Sequence, residues 1–259
     1  MSATIIHGDC IEEMSKMDAN SIDLTVTSPP YDNLRTYEGS LQWHEGIWKQ
    51  VLEGLYRVTK EGGVVVWVVN DATIKGSETC TSFKQAIYAK EIGFNLHDTM
   101  IWEKPNPIPT QHTRYQQSFE YMFVLSKDKN KQFNPIRIKT KCNGVKVKKH
   151  RAKVNGHQYN EDGFYTVSKD KIKGNIWKFS NVKNKSKHKA VFPEQLAHDH
   201  ILSWSNEGDT VFDPFLGSGT TGVASIKLNR NFIGIEKVKQ YFDLSNERIN
   251  NVQPELITN

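Results

Sequence analysis

The chain has 259 residues, a formal net charge of +5, 37% hydrophobic and 24% charged residues, enough for one good core with an insertion rather than two equal domains. Its apolar runs, 22–26 and 64–69, are far too short to span a bilayer, and Met1-Ser2-Ala3-Thr4 opens on neither a basic region nor a long apolar stretch, so neither membrane insertion nor a signal peptide is expected. Cys10, Cys80 and Cys142 form no CxxC pair, which argues against a zinc knuckle or disulfide framework and for a reducing, cytoplasmic location.

A strand over 4–7 runs into Gly8-Asp9, and a helix over 10–17 follows with Ile11, Met14 and Met17 on one face. The next strand, 22–26, ends in Thr27-Ser28-Pro29-Pro30-Tyr31. Two prolines stiffen this backbone and donate no hydrogen bonds, so the nearby carbonyls are free to accept one. A small hydroxyl precedes them and an aromatic ring follows, which suits a flat group bearing an NH2, such as a nucleobase with an exocyclic amine. For Pro-Pro alone, a stiffened turn is the plain alternative. Residues 32–42 are polar and irregular and read as a mobile loop, with Arg35 and Tyr37 as candidate substrate contacts.

Ile47, Val51, Leu55 and Val58 recur at helical spacing and predict an amphipathic helix over 43–59, with Trp43 and Trp48 as core candidates and Gly62-Gly63 as its stop. The run 64–69 is continuously apolar, as in a parallel strand buried on both faces. Asn70-Asp71 at its carboxyl end suits either a ligand contact or a cap for the following helix. That helix is expected over 83–92, closed by Gly93. Strands over 98–102 and 120–125 come next, separated by a loop with Pro105, Pro107 and Pro109.

Charge then changes abruptly. From Arg137 to Lys189 sixteen Lys or Arg stand against three acids (Glu161, Asp162, Asp170), a surplus of 13 that leaves the rest of the chain at −8. Tyr159, Phe164, Tyr165, Trp177 and Phe179 are interleaved with these cations, together with many Asn, Gly and Ser. Cations suit phosphates, while amides and aromatics suit base edges, so nucleic acid is the favoured partner over a merely solvated surface. Domain boundaries are therefore placed at 1–136, 137–187 (the basic insert) and 188–259.

Phe192-Pro193 opens a helix reaching about 204. A strand over 209–213, a helix over 220–228, a strand over 231–235 and a helix over 238–250 complete the chain. Strands alternating with helices at both ends predict an α/β, mostly parallel sheet with helices on both faces. Between strand and helix lies Asp213-Pro214-Phe215-Leu216-Gly217-Ser218-Gly219-Thr220-Thr221-Gly222, which satisfies GxGxxG, with Glu236 nineteen residues after Gly217. This arrangement suits an adenosine-containing ligand whose ribose meets the acid. Glycines that merely permit tight helix–strand packing are the alternative. No Lys-Ser or Lys-Thr follows, which excludes a P-loop, and too little chain remains for the second half of an NAD site. Asp213 would repel a pyrophosphate but attract a cation. S-adenosylmethionine, with its sulfonium and ammonium, fits, and methyl transfer follows.

With these motifs the chain resembles the amino-methylating DNA methyltransferases of the β group over most of its length outside 137–187. Asp213–Thr220 is similar to that family's cofactor loop, Gly234-Ile235-Glu236 to its ribose-binding strand end, and Gly8-Asp9 to its adenine-contacting acid. Ser28-Pro29-Pro30-Tyr31 is similar to its catalytic loop, Lys189–Glu194 to the segment beside the methionine portion, and Trp102-Glu103-Lys104-Pro105 to a segment near the target base. The order of catalytic loop, basic insert and cofactor loop is the β-group order, the reverse of protein-glutamine and ribosomal-RNA methyltransferases.

The resemblance implies a Rossmann-like sheet of seven strands, one antiparallel, permuted and carrying an inserted target-recognition region. It implies Ser28, Pro29, Pro30 and Tyr31 as catalytic residues. Asp9, Lys189, Phe192, Asp213, Phe215, Gly217, Ser218, Gly219, Thr220 and Glu236 become the S-adenosylmethionine site. Arg137, Lys139, Lys141, Lys148, Lys149, Arg151 and Lys153 become DNA contacts. Duplex DNA is the implied partner, the target base being flipped out and stacked on Tyr31, and a homodimer or a cognate restriction endonuclease would be further partners. Ser28 favours cytosine N4 as the methylated atom, with adenine N6 as the alternative, and a DNA-binding protein on an inactive version of the fold is the alternative of a different class. No metal is expected: His198 and His200 diverge on a helix and read, with His188, as surface histidines, while His150 and His157 read as phosphate contacts or bystanders.

Overall fold

A computed structural model describes residues 1–30, 43–107, 113–130, 132–141, 144–148, 153–154, 157–158, 164–180 and 192–254. They fall into two compact units, 1–134 with 175–259, and 135–174.

The larger unit is built on eight strands: β1 (Ala3–His7), β2 (Ile22–Thr27), β3 (Thr59–Val69), β4 (Phe94–Glu103), β5 (Phe119–Lys127), β6 (Ile176–Lys178), β7 (Thr210–Asp213) and β8 (Asn231–Glu236). Their order across the sheet is β1-β8-β7-β2-β3-β5-β4-β6. Only β5 runs antiparallel, against both β3 and β4. The chain thus enters the sheet at one edge and in its middle, and reaches β7 late, which is the permuted path expected. One strand more than the expected seven is present. β6 pairs in parallel with β4, matching Ile176 to Ile101 and Trp177 to Trp102. Its three residues lie in the basic stretch and alternate exposed, buried, exposed, too short a pattern to read as a strand from sequence.

Helices α1 (Cys10–Lys16), α2 (Glu45–Val58) and α3 (Thr81–Glu91) share one core, in which Val51, Leu52 and Leu55 meet Val65, Trp67, Val69 and Phe212. Each such side chain, removed from water, contributes about 1.5–3 kcal/mol before entropy is counted. Helices α4 (Glu194–Trp204), α5 (Thr220–Lys227) and α6 (Lys239–Asn250) pack among β1, β2, β7 and β8. Helix limits fall within two residues of expectation. The strand limits are less well anticipated: β3 begins at Thr59, directly after α2, because Gly62-Gly63 does not break the chain but sits in a bulge. Ile22 pairs with Thr59 and Leu24 with Val64, so the longer strand folds its excess out between them.

The smaller unit consists of antiparallel pairings: Arg137–Lys139 with Asp170–Ile172, Lys146–Lys148 with Phe164–Thr166, and Lys153–Val154 with His157–Gln158. Among the described residues no helix is long and apolar enough to cross a membrane.

Candidate active site

β7 and β2 are neighbours whose chain connections depart in opposite directions across the sheet, the position at which open α/β sheets bind ligands. Their backbone pairing covers only Val211 with Leu24 and Phe212 with Thr25. Beyond it the strands carry Asp213 and Thr27, and then the two loops singled out in the sequence.

Asp213 is 1% exposed. Its Oδ1 accepts hydrogen bonds from the Thr27 hydroxyl at 2.6 Å and the Phe215 amide at 3.0 Å. Its Oδ2 accepts one from the Thr221 hydroxyl at 2.8 Å. Burial raises its pKa to about 6, against the lowering effect of these hydrogen bonds. Thr27 is fully buried and is followed by half-buried Ser28 and buried Pro29 and Pro30. The stretch expected to be catalytic therefore starts one residue from a direct bond to the expected cofactor loop. Tyr31, Arg35 and Tyr37 lie outside the described residues.

The glycine loop turns through Gly217 (φ 53) and Gly219 (φ 82), conformations that cost a side chain little only when it is absent. Gly222 has a packing reason: a Cβ there would lie 2.4 Å from Ile249 and 2.7 Å from Phe232. Ser218 and Thr220 are buried, with their hydroxyls 3.4 Å apart. Arg248 of α6 donates to the Ser218 carbonyl. Phe215 packs its ring edge-to-face on Trp43, centroids 5.5 Å apart.

Glu236 closes the loop from β8, its two oxygens accepting from the amides of Gly217 (2.7 Å) and Val238 (2.8 Å). Burial raises its pKa, opposed by those amides. Each oxygen keeps a lone pair for a further donor. Asp9, at the end of neighbouring β1, caps α1 through the Ile11 amide at 2.9 Å and meets Lys237 at 3.1 Å. Burial pushes its pKa up, but the Lys237 and Ile11 hydrogen bonds and the lysine charge prevail and hold it below the ordinary value. Phe192 is half-buried just ahead of α4; Lys189 lies outside the described residues. Acids on three adjacent strand ends and a glycine turn without a loop lysine fit a cationic nucleoside better than a pyrophosphate. Cys10 supplies no nucleophile, since burial pushes its thiol up to about 12.

Other expected residues settle into structural positions. Asp71 caps α3, accepting from the amide of Ser82 at 2.9 Å and from its hydroxyl at 2.5 Å. Trp102 is buried and donates to the Phe179 carbonyl, while Lys104 pairs with Glu120. His200 is not a surface residue as expected but fully buried, against Met122, Trp204 and Trp177. Helical spacing separates it from His198 yet does not say which face is inside. No cluster of metal-binding side chains occurs among the described residues. In the smaller unit Arg137 pairs with Asp170, and Lys139 and Lys141 are exposed. Lys148, Lys153 and His157 lie in its strands; Lys149, His150, Arg151 and His188 lie outside the described residues. Sequence reading quoted Thr27 and Thr221 within the two motifs but gave them no role, and it missed Lys237 and Arg248. Single hydroxyls or cations beside a motif carry no periodic signal, and only position next to the motifs marks them.

A doubly wound sheet with one antiparallel strand, whose central crevice presents a glycine turn and carboxylates, defines the class of S-adenosylmethionine-dependent methyltransferases. A family model described as DNA methylase, of N6/N4 type, matches residues 22–247. The chain belongs to this family and is a DNA amino-methyltransferase with S-adenosylmethionine as cofactor. Orphan methyltransferase M.BamHII of Bacillus amyloliquefaciens is 51% identical over 241 residues, 89% of each chain. DNA adenine methyltransferase YhdJ of Escherichia coli K12 is 29% identical over 95% of this chain and 82% of its own. The solved M1.HpyAVI–SAM complex matches with a TM-score of 0.60 and 25% identity, over 95% of this chain and 99% of that one.

Proposed function

We propose that this enzyme methylates the N4 amine of cytosine at a specific sequence in duplex DNA. What supports transfer to an exocyclic amine is the 2.6 Å bond from Thr27 to Asp213, which ties the strand end before Ser28-Pro29-Pro30 to the residue before the glycine loop across 186 positions of chain. When bound, S-adenosylmethionine supplies a methyl group on a sulfonium that leaves readily. Glu236 and Asp9 would hold its adenosine portion, and the Gly217–Thr220 turn would let the backbone approach it.

The exocyclic amine is a poor nucleophile because its lone pair is delocalised into the ring. Accepting its two N–H bonds at Ser28 Oγ and the Pro29 carbonyl localises that pair and aims it, an orientation effect. The nitrogen so aimed would take the methyl group from the sulfonium, with the thioether as leaving group, and would give up its proton to water. Tyr31 stacks on the flipped base. Arg137, Lys139, Lys141, Lys148, Lys149, Arg151 and Lys153 contact the phosphates.

Cytosine rests on Ser28, since Ser-Pro-Pro-Tyr goes mostly with N4 methylation in the resembling family. Adenine N6 is the second reading, favoured by the name of the YhdJ relative. Digesting methylated plasmid to nucleosides and weighing the product decides: N4-methylcytosine is expected, and N6-methyladenine overturns it. A homodimer and a cognate endonuclease in a restriction-modification setting are part of the resemblance, although the 51% identical relative is named an orphan. Sequencing the methylated motif, then assaying host lysate for cleavage of the unmethylated motif, tests the pairing. The cytoplasm, where cellular DNA is reached, is the compartment that goes with this reading.

A further inference from the structure

We propose that Thr27 is a positioning residue: with Asp213 and Thr221 it forms a buried ring that fixes the opening between the catalytic loop and the cofactor loop. The inference rests on methyl transfer as the activity and adds a residue to it that does not itself touch the reacting atoms.

The ring stands where the sheet stops holding itself together. Backbone pairing between β2 and β7 ends at Thr25 and Phe212. From there the strands must part to leave a crevice, yet their loops have to meet a common ligand with fixed spacing. Side chains replace the ladder. Thr27 donates across the gap to Asp213 Oδ1 at 2.6 Å. Asp213 Oδ2 accepts from the Thr221 hydroxyl of α5 at 2.8 Å, and the Thr221 Oγ1 itself lies 3.1 Å from the Val26 carbonyl oxygen, back on β2. The circuit runs from β2 to β7, to the first turn of α5, and back to β2. Thr27, Asp213 and Thr221 are 0%, 1% and 0% exposed, so water offers no substitute partner.

Asp213 Oδ1 also accepts the Phe215 amide at 3.0 Å, which orients the start of the cofactor loop. Ser28 follows Thr27 directly. A hydroxyl on residue 27 therefore sets, through one carboxyl, where the amine-accepting atoms lie relative to the bound methyl donor. Misplacing reacting groups by about 1 Å costs up to ~100-fold in rate, so a loosened ring is expected to act on turnover more than on cofactor affinity.

The test is Thr27→Val, which keeps shape and removes the hydroxyl, beside Thr27→Ser, which keeps the hydroxyl, and Thr221→Val, which opens the ring from α5. Tritium transfer to unmethylated bacterial genomic DNA gives kcat and KM, and calorimetry gives S-adenosylmethionine affinity. Thr27→Val and Thr221→Val are expected to lower kcat by roughly 10–100-fold with cofactor Kd within about threefold, and Thr27→Ser to stay near the parent. Unchanged kcat in Thr27→Val overturns the proposal. So does Thr27→Ser falling as far as Thr27→Val, or loss of cofactor binding in step with kcat, since either marks general packing. Failure of the parent protein to methylate any DNA would instead refute the proposed activity; the ring is then read by amide hydrogen exchange at 26–28, where faster exchange in Thr27→Val supports it and unchanged exchange overturns it.

Discussion

Asp213 is the residue on which opposing forces meet: the bonds from Thr27, Thr221 and the Phe215 amide favour its ionised form, and burial favours its neutral form. Thr221 has one hydroxyl hydrogen and two acceptors within reach, Asp213 Oδ2 and the Val26 carbonyl. A protonated Asp213 resolves the conflict by donating to Thr221, which then donates to Val26. Burial outweighs the three hydrogen bonds and lifts the carboxyl from 3.8 to about 6, with Glu236 the acid whose charge adds to the rise. The folded state therefore holds a proton that the unfolded state releases. Below pH 3.8 both states are protonated; as pH rises from there to about 6 this group's contribution to stability is lost, and above about 6 the loss is complete. At ~1.4 kcal/mol per unit the loss is on the order of 3 kcal/mol. Asp213→Asn supplies the same donor at every pH and is expected to gain stability over the parent by that amount at pH 8 but not at pH 4, by urea denaturation. Equal differences at both pH values would remove Asp213 as the titrating group. Ser28→Ala tests the chemistry beside it: kcat in tritium transfer should fall by roughly 100-fold with cofactor affinity kept, and an unchanged kcat would end the case for Ser28 as an amine acceptor.

Elements were legible wherever burial imposes a period. Val64–Val69 is buried throughout and read as a strand, and the spacing of Val51, Leu55 and Val58 read as a helix. What escaped was held by long-range pairing rather than pattern: the bulge at Gly62-Gly63, and β6, whose three residues owe their strand to β4 across some seventy positions. The two loops were legible in composition, but not the hydroxyls that join them, because a threonine within an apolar strand looks like any other β-branched residue. Asn70-Asp71 shows the same limit on α3. Its sequence position at a strand's carboxyl end suits a ligand contact as well as a cap, and only the bonds from Ser82 to Asp71 tell them apart. Losing such a cap costs about 1 kcal/mol, with a range of roughly 0.5–2. Asp71→Ala is therefore expected to lower stability by that amount in chemical denaturation while leaving kcat within about twofold. Intact stability with lost transfer would move Asp71 into the active site.

At the scale of the whole molecule the charge is partitioned, not diluted. Residues 135–174 form their own compact unit and carry eleven Lys or Arg against three acids. The remainder of the chain is acidic, so on the proposed function the smaller unit is the one that would meet the phosphates, where each contact would release counterions and make affinity depend steeply on salt. Not every cation there contributes equally. Arg137 is engaged by Asp170, whereas Lys139 and Lys141 are exposed. Replacing Lys139 and Lys141 together with alanine is expected to weaken binding to methylatable and unrelated duplexes by the same factor. It should also reduce the slope of log affinity against log salt by about 2, near 0.9 per lost contact. Arg137→Ala alone should change the slope by less than either lysine. Fluorescence anisotropy across a salt series measures all three. Equal loss on every sequence identifies phosphate contacts, loss confined to one sequence would assign these side chains to base reading instead, and an unchanged slope would leave them as ordinary solvated surface.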